Sequence, residues 1–136
     1  MLRGSQMKAQ GTYSGIVTNE RTDYVVFGIF TADGNGNWSG SAKFNQPAPF
    51  GLRKVIDVTF TGTYTVNVDG MITLTNTFTR SDGYEADAEI DGVTREAEII
   101  DGIKIITELI GFSRGGAIPL LMPGSITKYH ATRLPD

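Results

Sequence analysis

Apolar and polar residues alternate along most of this chain with a period of two. In segment 55–68 the even positions from Ile56 to Val68 are apolar or glycine, whereas most odd positions are threonine. Segment 71–80 repeats the pattern, with Ile72, Leu74 and Phe78 on one face and threonines on the other. Successive side chains of a β-strand point to opposite faces of a sheet, so this alternation predicts strands that bury one face.

The same pattern predicts nine strands. They lie near residues 11–18, 24–31, 38–44, 55–68, 71–80, 84–90, 93–100, 103–110 and 125–134. No long stretch has the 3.6-residue period of an amphipathic helix, so we expect under about a tenth of the residues in helix. Short, regular connections favour antiparallel pairing of neighbours as a meander, and closing such a sheet removes its exposed edges. The sequence therefore predicts an all-β fold, a closed antiparallel meander barrel of eight or nine strands.

Asp-Gly pairs stand between the apolar runs at five places, 33–34, 69–70, 82–83, 91–92 and 101–102. Glycine accepts positive φ and aspartate tolerates it, so Asp-Gly is typical of a hairpin turn. A register that keeps each apolar face on one side favours three-residue loops at 69–71 and 81–83. The same criterion favours two-residue turns at 91–92 and 101–102.

These turn lengths bring polar residues into a row on the apolar face. The row, one residue per strand, consists of Tyr64, Asn76, Ala88, Arg95 and Glu108. A buried charge is costly unless it is paired, and this register pairs Arg95 with Glu108. Alanines beside the row remove volume, so the row indicates a cavity with specific contacts inside the barrel. The alternative is an ordinary exposed Arg95–Glu108 pair at a sheet edge, with Tyr64 and Asn76 satisfying each other.

The predicted cavity supplies the candidate site residues. The expected ligand contacts are Tyr64, Asn76, Arg80, Tyr84, Arg95 and Trp38. Arg95 or Arg80 would recognise a polar group of the ligand, while Tyr64 and Asn76 would orient it. In an enzyme, Glu108 would be the catalytic acid or base, with its pKa set by burial and by Arg95. Trp38 alternates with apolar neighbours and is either core or cavity lining.

Composition narrows the classes of function. The 136 residues are 40% hydrophobic, enough for one domain with one core. A net charge of −3 argues against nucleic acid or an anionic membrane as the main partner. The absence of cysteine excludes disulfides and thiol chemistry, and the single histidine, His130, cannot form a multi-histidine metal site. We therefore expect no metal and no cofactor.

The start of the chain and its longest apolar runs bear on localisation. Residues 1–6 before Met7 are interpreted as vector-derived, which leaves residues 7–136 as a single barrel domain. No signal-peptide core precedes that domain, and no apolar run reaches the length of a membrane helix. The cytoplasm is the default expectation.

Two connections, 45–53 and 111–125, mix glycine and proline with large apolar residues, among them Phe50 and Leu120. They are interpreted as plugs on the barrel ends, with a lid or a contact between copies in a homo-oligomer as the alternatives. In a nine-stranded meander the two connections fall at opposite ends.

The predicted outer face is acidic. The register sets Asp87 against Glu96 and Glu85 against Glu98, and like charges directly opposite each other are unfavourable. A cation, solvent or basic residues of a neighbouring strand or subunit would relieve the repulsion.

Three segments, "GIFTADGNGNWSG", "FTGTYTVNVDG" and "KYHATRL", resemble small bacterial β-barrel proteins of the lipocalin-like and allene oxide cyclase-like kinds. The resemblance implies a closed barrel with an apolar interior that binds small hydrophobic molecules, and some such barrels isomerise or cyclise them. The predicted function is therefore binding of a small, mainly apolar molecule. The alternatives are an enzyme of the isomerase, cyclase or hydratase type and a structural or assembly domain.

Overall fold

The structure is a computed structural model that describes residues 7–114 and 126–136. There the chain forms eight antiparallel strands in sequence order, and the last strand pairs with the first to close a barrel. The strands are β1 Gln10–Asn19, β2 Val25–Asp33, β3 Asn37–Pro47, β4 Arg53–Val66, β5 Met71–Arg80, β6 Glu85–Ile100, β7 Ile103–Ser113 and β8 Thr127–Arg133. In this described part the only helical element is the short 3₁₀ turn Pro49–Gly51. The predicted all-β closed meander is confirmed.

The predicted turn at Asp91-Gly92 is wrong. Strand β6 runs without a break through both residues, and it pairs with β5 along its first half and with β7 along its second. Gly92 does not have the positive φ of Gly70 and Gly83. A side chain at Gly92 would instead meet the carbonyl oxygen of Ile110 at 2.8 Å. This glycine therefore permits close approach of two strands rather than a turn, a difference that the dipeptide alone does not reveal.

The other predicted turns are confirmed in length. At 81–83 the three-residue loop pairs Phe78 with Ala86, and at 101–102 the two-residue turn pairs Ile100 with Ile103. The loop between β4 and β5 also has three residues but lies one position earlier than predicted, at 68–70, because the Asn67 N–H bonds the Met71 carbonyl at 2.8 Å. The pairing of β4 with β5 is thereby shifted by two residues, so the apolar residues of both strands still lie on the same face of the sheet.

One end of the barrel is closed by the first described residues. The backbone N–H of Lys8 donates to the carbonyl of Lys104 at 3.0 Å, which lays this segment across the barrel beside β7. The Tyr64 hydroxyl donates to the carbonyl of Ala9, and the Tyr13 hydroxyl donates to the carbonyl of Ile106. We call this region, residues 7–9 with Tyr13, Tyr64 and Ile106, the closed end.

The connections β3–β4 and β7–β8 both leave from the opposite end, because the meander has eight strands rather than nine. The prediction that they lie at opposite ends is wrong. Phe50 in the first connection is 99% exposed, so it does not plug the barrel. Residues 115–125 of the second connection, including Ile118, Leu120, Leu121 and Met122, lie outside the described residues.

The interior contains two apolar clusters. The cluster at the closed end includes Tyr13, Trp38, Tyr64, Leu74 and Ile106. The cluster towards the opposite end is smaller and consists of Tyr24, Phe44, Ile56, Val58 and Phe78. Phe60 packs against both clusters, so the two are continuous near mid-barrel.

Candidate functional site

A row of inward-facing residues crosses four strands at mid-barrel. Trp38 of β3 pairs with Gly62 of β4, Gly62 pairs with Asn76 of β5, and Asn76 pairs with Ala88 of β6. The predicted pairing of Asn76 with Ala88 is confirmed, whereas the predicted pairing of Tyr64 with Asn76 is wrong. The two-residue shift between β4 and β5 replaces Tyr64 by Gly62 and brings Trp38 into the row.

Gly62 allows strands β4 and β5 to lie unusually close together within this row. A Cβ atom there would lie 1.9 Å from the carbonyl oxygen of Thr75 and 2.8 Å from the Cα of Asn76, so no other residue fits without a backbone shift. The absence of a side chain on β4 also leaves nothing between Trp38 and Asn76 along the row.

Trp38 and Asn76 of this row line a pocket of about 110 Å³ that is partly open, since the exposed residues Ile16, Phe27 and His130 also border it. The wall is almost wholly apolar and includes Phe30, Phe44, Val58, Phe60, Leu74 and Phe78. An apolar protein cavity of roughly 150 Å³ accepts benzene, so this space suits a molecule of about one small ring. Clefts of this composition, with a few convergent polar groups, are the usual sites of small-molecule binding.

Two polar atoms on the cavity wall lack partners. The Nε1 of Trp38 and the Oδ1 of Asn76 are buried, and no hydrogen-bond partner for either occurs in residues 7–114 and 126–136. Leaving a buried donor or acceptor unsatisfied costs about 1–3 kcal/mol. The fold therefore maintains two costly groups next to an internal cavity, and a bound molecule could satisfy them.

Tyr129 of β8 is a third polar residue on the wall, and sequence reasoning missed it. Burial raises its pKa, chiefly by desolvation and then through Tyr24. No hydrogen bond of its hydroxyl is found in the described part of the chain. By contrast, the hydroxyls of Tyr13 and Tyr64 each donate to a backbone carbonyl. The sequence contained a signal for this position, because Thr127, Tyr129 and Ala131 alternate along β8 and so face the interior together.

The structure gives Tyr64 a different place from the predicted one. It is buried at the closed end, where its hydroxyl is already bonded to Ala9, and it does not line the cavity. Burial raises its pKa above the usual value for tyrosine. The residue is interior, as predicted, but its polar group serves the fold.

Arg80 and Tyr84 face each other across the β5–β6 turn as predicted, with the Arg80 N–H donating to the Tyr84 carbonyl at 2.7 Å. The Arg80 guanidinium donates to both carboxylate oxygens of Asp82, at 3.1 and 2.6 Å, and thereby lowers the pKa of that carboxyl group. It also lies 5.1 Å from the ring centre of Phe44. Neither Arg80 nor Tyr84 lines the cavity, so Arg80 packs behind a wall residue rather than facing the interior space.

The predicted Arg95–Glu108 pair is wrong. Glu108 stands opposite Glu96, at an irregularity of the β6–β7 register, and Arg95 is exposed. The Oε2 of Glu108 is 2.8 Å from the Nε2 of His130, which is 46% exposed, so this contact lies on the outside of the barrel. The pairing failed because the β6–β7 ladder is irregular between Thr94 and Ala97. The structure therefore does not support an acid–base role for Glu108 that depends on burial beside Arg95.

The predicted like-charge pairs on the outer face are also wrong. Glu85, Asp87, Glu96 and Glu98 all lie on β6 and cannot oppose one another. Asp87 instead accepts a hydrogen bond from the hydroxyl of Thr77 at 2.6 Å. In the parts of the chain that the structure describes, no group of three or more acidic, histidine or cysteine residues is arranged to hold a metal ion.

No protein-family model, curated protein or solved structure matches this chain. The resemblance to lipocalin-like and allene oxide cyclase-like barrels therefore stays a prediction. No helix in the described ranges is both long and apolar enough to cross a membrane. Fold and site together define an eight-stranded antiparallel barrel with an apolar pocket, and within the described residues two buried atoms on its wall, in Trp38 and Asn76, have no hydrogen-bond partner.

Proposed function

We propose that this protein binds a small, mainly apolar molecule inside its barrel. One observation carries the proposal, namely the mid-barrel cavity whose apolar wall includes unpaired polar atoms of Trp38 and Asn76. A core that served stability alone would be filled, because each void forfeits packing contacts and each unpaired polar atom adds a further cost. A bound molecule would remove both costs.

The fluorescence of Trp38 can be used to measure such binding. Trp38 is the only tryptophan and lines the cavity. We expect toluene to change its fluorescence saturably and to raise the melting temperature as toluene concentration rises, because a ligand that binds only the folded state stabilises that state. Fluorescence titration and thermal unfolding measure the two effects.

A pair of variants places the binding inside the barrel. Ala42 lines the cavity, so Ala42→Leu should fill part of it and weaken toluene binding at least about tenfold. Ser41, the adjacent residue, is exposed on the outside, and Ser41→Leu should leave binding unchanged. A wild-type protein that shows no saturable response, or an Ala42→Leu protein that binds as well as wild type, would refute the proposal.

A further inference from the structure

We infer that the ligand is uncharged and carries a hydroxyl or carbonyl group that hydrogen-bonds to Asn76 and Tyr129. This inference rests on the proposed function, because it concerns the same cavity. It differs from the expectation drawn from the sequence, in which Arg95 or Arg80 recognises the polar group. Three features of the wall support it: the absence of usable charge, the chemistry of the unpaired groups and the small side chains around them.

The first feature excludes a charged ligand. In the described part of the chain no aspartate, glutamate, lysine or arginine lines the cavity. His130 borders it, but its ring nitrogen is directed to Glu108 on the outside. The nearby guanidinium of Arg80 is occupied by Asp82, with 7% of its side chain exposed. A carboxylate or ammonium in this space would be buried without a counter-charge, which is strongly unfavourable.

The second feature selects the polar group. The Asn76 amide both donates and accepts, a tyrosine hydroxyl does the same, and the Trp38 indole only donates. A ligand hydroxyl can donate to one of these groups while it accepts from another, and a carbonyl can accept from two of them. A bond to the Asn76 Oδ1 or the Trp38 Nε1 would also satisfy a buried atom that has no partner among the described residues.

The third feature is the room around these groups. Asn76 lies between Gly62 and Ala88 on the adjacent strands, and Tyr129 lies between Val17 and Gly111. No neighbouring side chain in these pairs has a polar group that could bond to Asn76 or Tyr129. The Oδ1 of Asn76 is covered in the empty barrel, so its amide must turn towards a bound molecule, and the small neighbours leave room for that movement.

Three ring compounds of similar shape test the inference: toluene, phenol and benzoate. Toluene carries a methyl group where phenol carries a hydroxyl group, and the two are otherwise identical. In a cavity without polar partners, burying the hydroxyl would make phenol weaker than toluene by about 2-fold to 30-fold. We expect phenol to bind at least as tightly as toluene, and benzoate at least about tenfold more weakly than phenol. Trp38 fluorescence, excited at the red edge of its absorption, follows all three.

Two variants identify the partners. Asn76→Leu and Tyr129→Phe keep the size of each side chain and remove the polar group. Each should weaken phenol binding relative to toluene binding by about threefold to tenfold, the contribution of one neutral hydrogen bond. Thr75 is adjacent to Asn76 but exposed on the outer face, so Thr75→Leu should leave both affinities unchanged.

The outcomes separate this inference from the proposed function. If toluene binds but exceeds phenol by the same factor in wild type and in both variants, the polar recognition is overturned while binding in the barrel stands. Tightest binding of benzoate would overturn the uncharged ligand alone. If none of the three compounds binds, the proposed function itself fails, and the inference fails with it.

Discussion

The closed end and the cavity both contain buried tyrosines, but they use them differently. At the closed end the hydroxyls of Tyr13 and Tyr64 each donate to a backbone carbonyl, and these groups hold residues 7–9 and β7 in place. At mid-barrel the hydroxyl of Tyr129 lies next to open space without a partner in the described residues. A satisfied buried polar group belongs to the fold, whereas an unsatisfied one beside a cavity points to a ligand.

The difference comes from the hydrogen-bond partners that the neighbouring segments provide for the tyrosine hydroxyls. The closed end is crossed by an additional segment of chain, whose Ala9 carbonyl accepts from Tyr64, while β7 provides the Ile106 carbonyl for Tyr13. The cavity is bordered by strands with glycine or alanine at inward positions, including Gly15, Gly28, Gly62 and Ala131. Small residues leave room but provide no side-chain hydrogen bonds. The same barrel therefore has a region in which the buried tyrosine hydroxyls have backbone partners and a region in which the Tyr129 hydroxyl has none among the described residues.

The largest expected effect concerns the glycine that keeps the cavity row in place. Gly62→Ala would put a Cβ atom 1.9 Å from the Thr75 carbonyl oxygen, so the backbone must move, and we expect a loss of about 3 kcal/mol or more in the free energy of unfolding. Gly15 also lines the cavity, but its Cβ would meet its nearest atom at an ordinary 3.6 Å. Gly15→Ala should therefore cost less than about 1 kcal/mol. Urea unfolding measures both, and equal losses would contradict the role given to Gly62.

The comparison of the two regions can be tested directly with two tyrosine-to-phenylalanine changes. Tyr13→Phe leaves the buried Ile106 carbonyl without its hydroxyl partner, so it should cost about 1–3 kcal/mol. Tyr129→Phe removes a hydroxyl that has no partner in the described residues, so it should change the free energy of unfolding by less than about 0.5 kcal/mol in the absence of ligand. Similar costs for both changes, measured by urea unfolding, would show that the distinction between the two regions is wrong.

The smallest effect appears only at alkaline pH. Burial raises the pKa of Tyr13, Tyr24, Tyr64 and Tyr129 above their usual value. Near pH 10 the unfolded chain therefore loses its phenolic protons before the folded protein does, and stability falls as pH rises from about 10 towards the raised pKa values. Below about pH 9 these groups should cause no pH dependence.

Tyr129→Phe isolates one part of this alkaline loss. The variant should lose less stability than wild type between about pH 9 and 11, because one group with a raised pKa has been removed. Urea unfolding at several pH values measures the loss, and the tyrosinate absorbance of folded and unfolded protein gives an independent titration. An unchanged slope in the variant would contradict the burial of Tyr129.

Part of the candidate site was accessible from the sequence. Asn76 was predicted to face the interior opposite Ala88, and Trp38 was considered as cavity lining, since each follows from the two-residue period of its own strand. Arg95 and Glu108 were misplaced because their pairing was extrapolated from the turn at Asp101-Gly102, whereas the β6–β7 ladder is irregular between Thr94 and Ala97. A correct turn therefore fixes the register only as far as the next irregularity in the ladder.

The sequence by itself determined the all-β class and the inward faces of β4 and β5. It also determined the lengths of the three loops and turns at 68–70, 81–83 and 101–102. These properties depend on residues close together in the chain. Only the tertiary structure decided that Asp91-Gly92 lies within a strand, and which buried polar groups have partners. Tyr13 bonds a residue 93 positions away and Tyr64 bonds one 55 positions away. Hydrogen-bond satisfaction joins distant segments, whereas alternation is local, so no periodic pattern could have shown that Tyr129 differs from the other buried tyrosines.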